Sequence, residues 1–390
     1  MFPTQFTGAS FTWERKEFGD VVEFYSGLTY KPENIAQSGT LVIRSSNIHN
    51  SQYVNADNVY VKNNIVNSEY VKKQDIVVVV RNGSRNLIGK HALLTSIPHN
   101  PSVIGAFMTG IRSSDNQFIE TLLNTEQFKR EINKNLGATI NQITTSQFKK
   151  MRFHFSKQKE NKQIGVLFTY LDNSINLHED YLQFLHDFKS FLLQKMFFDN
   201  DIPPLLRFNK FIEKWNQCRL NDHAIVTMGQ SPNSKNYTNN QTDKILVQGN
   251  ADLYKNKVLK RVFTTEITKT AIKNDILISV RAPVGDIARN QYESVVIGRG
   301  IASIKGNDFL YYQLEKMKNS GFWNKYIAGS TFESITGKDL KNAKIYTTNS
   351  DEERKIGNIF SSLTNIIQLQ EHKIDSLKKL KQFLLQNMFI

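Results

Sequence analysis

FLLQKMF at residues 191–197 and FLLQNMF at residues 383–389 are near-identical words 192 positions apart, and residues 148–197 overlie 340–389 without a gap at that shift. Self-similarity at a fixed offset sets the architecture before any single element is read. The same shift pairs GATINQI at residues 137–143 with GSTFESI at residues 329–335, and a slightly larger one pairs Val103-Ile104-Gly105 with Val296-Ile297-Gly298. Upstream, Asp75-Ile76 ending in Arg81 mirrors Asp275-Ile276 ending in Arg281, and Trp13, Asp20 and Gly27 mirror Trp215, Asp222 and Gly229. The chain therefore reads as a globular segment followed by a helix, and then a second copy of both.

The helices carry the clearest periodicity. Alternate steps of four and three visit Ile164, Phe168, Leu171, Ile175, His178, Leu182, Leu185, Lys189, Leu192 and Met196, the pattern of a coiled-coil seam. The shift carries this seam onto Ile356, Phe360, Leu363, Ile367, Gln370, Ile374, Leu377, Lys381, Leu384 and Met388, with polar residues interrupting at the same two places. Two matching seams predict that the two helices pack on each other, with Ile164, Phe168, Leu171, Ile175, Leu182 and Leu185 facing Ile356, Phe360, Leu363, Ile367, Ile374 and Leu377. Polar groups at seam positions fix register at some cost in stability, so His178 and Gln370 read as register devices rather than ligands. A seam of about 33 residues reaches about 50 Å at the helical rise of about 1.5 Å per residue. That length would hold two recognition domains about one to one and a half turns of B-DNA apart, which suggests a split target.

The segments KKQDIVVVV before Arg81 and KNDILISV before Arg281 are β-branched runs bounded by polar turns, and predict buried strands. Helical stretches follow at residues 119–136 and 310–326. The fold class is α+β: two similar α/β globular domains at residues 1–155 and 201–346, separated by long helices at 156–200 and 347–390, a pseudo-two-fold internal repeat. Residues 199–205, with Pro203 and Pro204, read as a linker.

Of 390 residues, 39% are apolar and 22% charged, a globular composition, while 50 Lys and Arg against 36 Asp and Glu leave a net charge of +14. That excess favours a polyanionic partner, nucleic acid first, with a basic but non-binding surface as the alternative. Cys218 is the one cysteine, which excludes a disulfide framework and a thiolate zinc cluster and suits a reducing cytoplasm. The opening MFPTQFTGAS has neither a basic nor an apolar signal region, and the longest pure aliphatic run, residues 76–80, is too short to span a bilayer. A cytoplasmic, non-membrane protein is expected.

Catalytic motifs fail on inspection. Gly337-Lys338 lacks the glycine of a phosphate-binding loop, having Phe332 in its place, and is followed by Asp339. Asp201-Ile202-Pro203-Pro204-Leu205 has a displaced carboxylate and no aromatic, so it does not match an amino-methyltransferase loop. The eight histidines form no zinc motif, and there is no nucleophile elbow. No catalytic residue and no metal ligand is assigned, although scattered carboxylates leave a self-contained nuclease or methyltransferase open.

Base recognition needs Arg, Lys, Asn, Gln or Ser on rigid loops, because the major-groove edges of guanine and adenine present fixed acceptors and donors. RNGSRNLIGKH at residues 81–91 supplies Arg81, Asn82, Ser84, Arg85 and Lys90 directly after a strand. Its counterpart RAPVGDIAR supplies Arg281 and Arg289. Arg44 and Asn47 in the first domain, with Ser231, Asn233, Gln248 and Asn250 in the second, complete the DNA-binding candidates. Each is equally consistent with a turn cap, and Arg81 or Arg281 could instead pair with Asp75 or Asp275, or touch phosphate. The helices match between copies far better than the loops do, as two copies of one partner and two different base sequences would require.

In the Trp13 and Trp215 openings, DILISVRAPVGDIA from Asp275, the GATINQI and GSTFESI segments and the FLLQKMF/FLLQNMF helices, the chain resembles the specificity subunit of type I restriction-modification systems along essentially its whole length. The resemblance implies a non-catalytic, DNA-reading chain. It implies two target-recognition domains joined by an antiparallel helix pair that docks two modification subunits and, in the full complex, restriction subunits. S-adenosylmethionine and adenine-N6 chemistry then belong to the modification subunits, and ATP and Mg to the partners, with no cofactor on this chain. RNGSRNLIGKH departs from the family's RAPVG-like segment. A non-DNA adaptor built on the repeated helices is the remaining alternative.

Overall fold

A computed structural model describes residues 13–96, 101–137, 141–199, 202–327 and 333–389. The opening decapeptide, residues 138–140 of GATINQI, 329–332 of GSTFESI and Asp201 lie outside the described residues. The chain forms two compact units, Met1–Glu179 with Lys373–Ile390, and Asp180–His372. Each long helix is therefore shared between the units instead of forming a domain of its own.

In the first unit, the strand Ile76–Val79 is buried along its whole length. It pairs antiparallel with Met108–Arg112 and with His91–Leu93, and Glu23–Ser26 joins the far side of Met108–Arg112. Side chains alternate across a strand, and the run IVVV uses both faces. Ile76 and Val78 enter a core with Phe118, Phe148 and Phe153, while Val77 and Val79 enter a second core with Leu41, Ile43 and Ile104. That second core backs onto another sheet, in which Thr40–Ile43 runs parallel to Ser102–Ile104. A strand buried on both faces has no polar side to alternate with, which accounts for its continuous aliphatic run.

The second unit repeats the plan. Ile276–Ser279 pairs antiparallel with Ile301–Lys305 and Ile287–Arg289. Ile276 and Ile278 face one core and Leu277 faces another, shared with Val247 and Ile297. Val247 pairs with Ile297 in parallel, as Ile43 pairs with Ile104 in the first unit. The first copy also joins Glu14–Glu17 to Arg152–Phe155, and the second joins Asn216–Arg219 to Lys344–Thr347. The helical stretches differ in detail from the expectation. Residues 119–136 form two helices, Asn116–Leu123 and Glu126–Asn135, because the Thr125 side chain accepts from the Phe128 N–H and starts the second.

The long helices are Gln158–Met196 and Ser350–Met388, 39 residues each. They run antiparallel: in the first unit Phe168 lies against Phe389 with ring centroids 6.3 Å apart, and Lys381 pairs with Asp172 at 2.5 Å. In the second unit Phe197 lies 5.6 Å from Phe360. The predicted seam residues are buried or half-buried, but they do more than face one another. Ile164 and Phe168 belong to the Phe118 core of the first unit, and Leu185, Ile356, Phe360, Leu363 and Ile367 belong to the main core of the second. Lys189, polar at a seam position, is bound by both carboxylate oxygens of Glu315 at 2.8 and 2.9 Å.

Each long helix carries a glycine at the repeat offset where a shorter helix abuts it. A Cβ on Gly165 would lie 2.5 Å from the Phe118 nitrogen, and one on Gly357 would lie 3.0 Å from the Phe309 nitrogen. Elsewhere in a helix, Gly→Ala gains about 1 kcal/mol. Here Gly165→Ala is expected to lose about 1–3 kcal/mol through overpacking, with a smaller loss for Gly357→Ala; thermal melting of the two variants checks this, and a raised Tm for Gly165→Ala would contradict it.

Trp215 closes the second unit by donating its indole N–H to Glu352 at 3.1 Å, a fully buried carboxylate that Arg207 also grips at 2.9 and 2.8 Å. Burial pushes this carboxyl up, but the Arg207, Thr348 and Trp215 contacts outweigh it and hold Glu352 below its ordinary 4.5. A depressed folded value means stability that is present above pH 4.5 and lost as pH falls through the folded value. Glu352→Gln should cost about 3 kcal/mol at neutral pH and flatten the acid limb of a stability-versus-pH curve, measured by denaturant titration between pH 3 and pH 7.

Candidate nucleic-acid interface

In the first unit, the loop after Ile76–Val79 is clamped at its base from two sides. The N–H groups of Val80 and Arg81 donate to the Phe107 carbonyl at 2.9 and 3.1 Å. On the other side, Ile143 donates to Val80 at 2.9 Å and Asn82 to Asn141 at 3.2 Å, with Arg81 bridged to Gln142. The described end of GATINQI thus acts as a lateral brace. Asn82 accepts from the Ser84 N–H at 3.0 Å and reaches the Ser45 hydroxyl at 3.4 Å, and the Lys90 ammonium donates to the Ser45 carbonyl at 3.1 Å. Arg44, Arg81, Asn82 and Lys90 are therefore brought together, with Arg81, Ser84 and Arg85 exposed. Arg44 is half-buried, donating to the Asp57 carbonyl at 2.6 Å beside a cleft of about 620 Å³ that Tyr30, Ile35 and Phe107 also line.

The second unit uses the same clamp. Val280 donates to Gly300 at 2.9 Å, Ile335 to Val280 at 3.0 Å and Ala282 to Glu333 at 2.9 Å, and Arg281 is bridged to Ser334. The RAPVG loop is further closed by Ser279, whose hydroxyl donates to the Pro283 carbonyl at 2.7 Å and accepts from the Asp286 N–H at 2.9 Å. Ser231 accepts from the Arg299 N–H at 3.1 Å, and the Gln248 N–H donates to the buried Asp252 at 2.7 Å. Asn250 reaches Asp286 at 3.3 Å. Asn233 is exposed, and its N–H is the main influence holding the Glu266 carboxyl below the usual range. Arg281, Ser231, Gln248 and Asn250 sit on loops that converge around Gly298 and Gly300. A Cβ on Gly300 would lie 2.2 Å from the Gln248 carbonyl oxygen.

Two candidates are corrected. Asn47 is fully buried: its side-chain oxygen accepts from the Arg44 N–H at 2.9 Å and its amide donates to the Ala56 carbonyl. It shapes the turn and has no free edge for a base. Arg289 donates to the carbonyls of Asn274 and Gly306 at 2.7 and 2.9 Å and to Asp308 at 2.5 Å, with its guanidinium 5.1 Å from the Tyr311 ring centre. It ties a strand to the helix Asp308–Asn319. The suggested pairings of Arg81 with Asp75 and Arg281 with Asp275 do not form either. Asp75 is held by Arg112 at 2.9 Å and by the Tyr25 hydroxyl at 2.7 Å, and Asp275 by Ser303 at 2.9 Å. Both loop arginines are left exposed.

Phe107 and Arg299 were not among the sequence candidates, yet both are exposed on these loops. Their signal was present: the repeated Val-Ile-Gly triplets are followed by Ala106-Phe107 in one copy and Arg299-Gly300 in the other. Among the described residues no group of three or more His, Cys, Asp or Glu could hold a metal ion. What the two clusters offer is braced hydrogen-bond donors and cations, the chemistry of groove reading.

The type I restriction modification DNA specificity domain model matches residues 11–185 and again 212–379. A putative type I restriction enzyme specificity subunit, MjaX of Methanocaldococcus jannaschii, is 26% identical over 95% of this chain and 91% of its own. The StySPI specificity subunit of Salmonella potsdam is 27% identical over 46% of this chain and 42% of its own. Among solved structures, the type I restriction-modification S subunit from M. genitalium shares the fold with a TM-score of 0.67 at 15% identity, covering 98% of both chains. A chain from a type I R-M assembly matches with a TM-score of 0.55 at 20% identity, covering 96% of both.

Framework and contact residues should separate experimentally. Asn47→Ala and Arg289→Ala are expected to lower stability by about 1–3 kcal/mol, whereas Arg81→Ala and Arg281→Ala change it by about 1 kcal/mol or less. Chemical denaturation of the four variants compares them, and equal losses would remove the distinction.

Proposed function

From the premise that this chain belongs to the type I restriction-modification DNA specificity family, we propose that it selects the DNA sequence on which separate enzyme subunits act. The observation that carries this reading is the duplicated clamp: Arg81 and Arg281 leave equivalent strands, braced by equivalent segments, and present differing loops. Each unit reads one half of a bipartite target. Arg81, Asn82, Ser84, Arg85 and Lys90, with Arg44, serve one half, and Arg281, Ser231, Asn233, Gln248 and Asn250 serve the other. The net charge of +14 adds the salt-dependent attraction to phosphate that precedes base reading.

The helices serve as spacer and dock. Their 39-residue lengths set the number of unread base pairs between half-sites. Their outer faces hold exposed apolar residues, Tyr181, Phe184, Phe188 and Phe191 on the first helix and Leu380 and Phe383 on the second, which suit two modification subunits. This chain contributes no catalytic group: S-adenosylmethionine is held by the modification subunits, and ATP and Mg by the restriction subunits. No described helix is long and apolar enough to cross a membrane, and a cytoplasmic complex follows from the function.

Base-resolved mapping of N6-methyladenine in the source cell, with and without the gene, tests the proposal. Loss of methylation at one split motif is the expected result, and an unchanged pattern would reject it. In the same assay, a seven-residue insertion at matched positions of both helices should alter the spacer while leaving both half-sites intact; an unchanged spacer would remove the ruler role.

A further inference from the structure

Phe107 stands out on the first unit's loop face because its backbone is held while its ring is exposed. Its carbonyl accepts from Val80 and Arg81, the turn is closed by Met108 donating to Gly105 at 2.9 Å, and Gly105 itself donates to Ile43 at 2.9 Å. Four backbone hydrogen bonds thus fix the position of a ring that is 54% exposed. The Arg81 guanidinium lies 5.0 Å from the ring centre, and Ser45, Asn82 and Lys90 stand on the adjoining loops. An aromatic ring presented to water between this polar, cationic cluster and the cleft that it lines with Tyr30 and Ile35 forgoes burial of much of its apolar area. Against duplex DNA there is one apolar group in the major groove for it to cover, the C5 methyl of thymine, while the neighbouring arginine suits the paired acceptors of guanine.

The second unit lacks this feature at the matching turn. Gly298-Arg299-Gly300 offers no apolar side chain, and Arg299 is exposed with its N–H held by Ser231. The two halves therefore differ in kind at the same point of the same framework.

We propose that Phe107 is a specificity-determining residue that reads the methyl group of one thymine in the half-site bound by the first unit, next to a guanine read by Arg81. The proposal rests on the DNA-reading function above. Its consequence is an asymmetric target, methyl-dependent at one thymine on the first unit's side and at none through the matching turn of the second.

The test is a thermodynamic cycle on the full chain purified with its modification subunits, using duplexes that carry the mapped motif. Each thymine of both half-sites is replaced in turn by deoxyuridine, and dissociation constants are measured for the unaltered complex and for Phe107→Ala and Phe107→Leu. One deoxyuridine substitution, beside a guanine, should weaken binding by about fourfold, the factor that burial of one methyl-sized group supplies at 25 °C. With Phe107→Ala that substitution should have no further effect, and with Phe107→Leu part of the effect should return. Unchanged melting of Phe107→Ala verifies the fold. A motif without thymine beside guanine, neutral deoxyuridine at every position, or a loss that persists undiminished in Phe107→Ala would each overturn the proposal. Preference of the unaltered complex for the motif over a scrambled duplex separates the two levels. Without that preference the DNA-reading function falls and this proposal with it, whereas with it a failed cycle removes the Phe107 proposal alone.

Discussion

The approach of a short helix to the backbone of each long helix, at Gly165 in one unit and Gly357 in the other, is the contact on which the remaining geometry depends. In both places the first turn of the domain's own helix, at Phe118 or Phe309, comes so near that a Cβ would touch main-chain or Cβ atoms. At Gly165 such proximity is available only to glycine and at Gly357 an added Cβ would be tightly crowded, and it lets Phe118 and Phe309 drop fully into the cores that line the long helices. A shifted helix would move those phenylalanines, and with them the core on which the strands Ile76–Val79 and Ile276–Ser279 rest.

Those two strands transmit the constraint to the loops. Because each is buried on both faces, its register is doubly specified: a slip of one residue would exchange Ile76 and Val78 for Val77 and Val79 between two differently shaped cores. The residue that emerges at the strand end is therefore fixed in direction, and the lateral hydrogen bonds from residues 141–143 or 333–335 finish the job. A rigid base with variable tips is the form a reader of different sequences requires, since a hydrogen-bond pattern can discriminate bases only if its donors do not move to suit the wrong one. The same rigidity explains why loop sequences can diverge between the copies while Val80 and Val280 keep backbone partners at corresponding positions.

Much of this was legible in the repeat. The seam positions and the GATINQI and GSTFESI words recur at a shift of 192, and the buried strands beginning at Ile76 and Ile276 at a shift of 200 (276 − 76), because the same backbone contacts must be made twice. Individual loop residues were less legible. Asn47 and Asn82 are both asparagines in loops that follow a strand, yet one is consumed by the Arg44 N–H and the Ala56 carbonyl while the other sits half-buried at the loop cluster. Arg289 looked like a second reading arginine of its loop, but three acceptors supplied by Asn274, Gly306 and Asp308 claim it. Phe107 closely follows the repeated Val-Ile-Gly triplet, but an aromatic residue there is equally consistent with core, and only its exposure shows otherwise.

By itself the sequence determined the elements that periodicity encodes: two copies of an α/β domain, two long helices with a four-three apolar seam, and the net charge that draws the chain to a polyanion. Those properties are local or additive, so they survive without coordinates. Only the tertiary structure decided that each seam also walls a domain core, which polar loop residues are spent on the framework, and which are left exposed. The physical reason is that hydrogen-bond satisfaction is a pairing between residues far apart in the chain, such as Lys90 with Ser45 or Val80 with Ile143, and no pattern of neighbours can state whether a donor's partner has already been found.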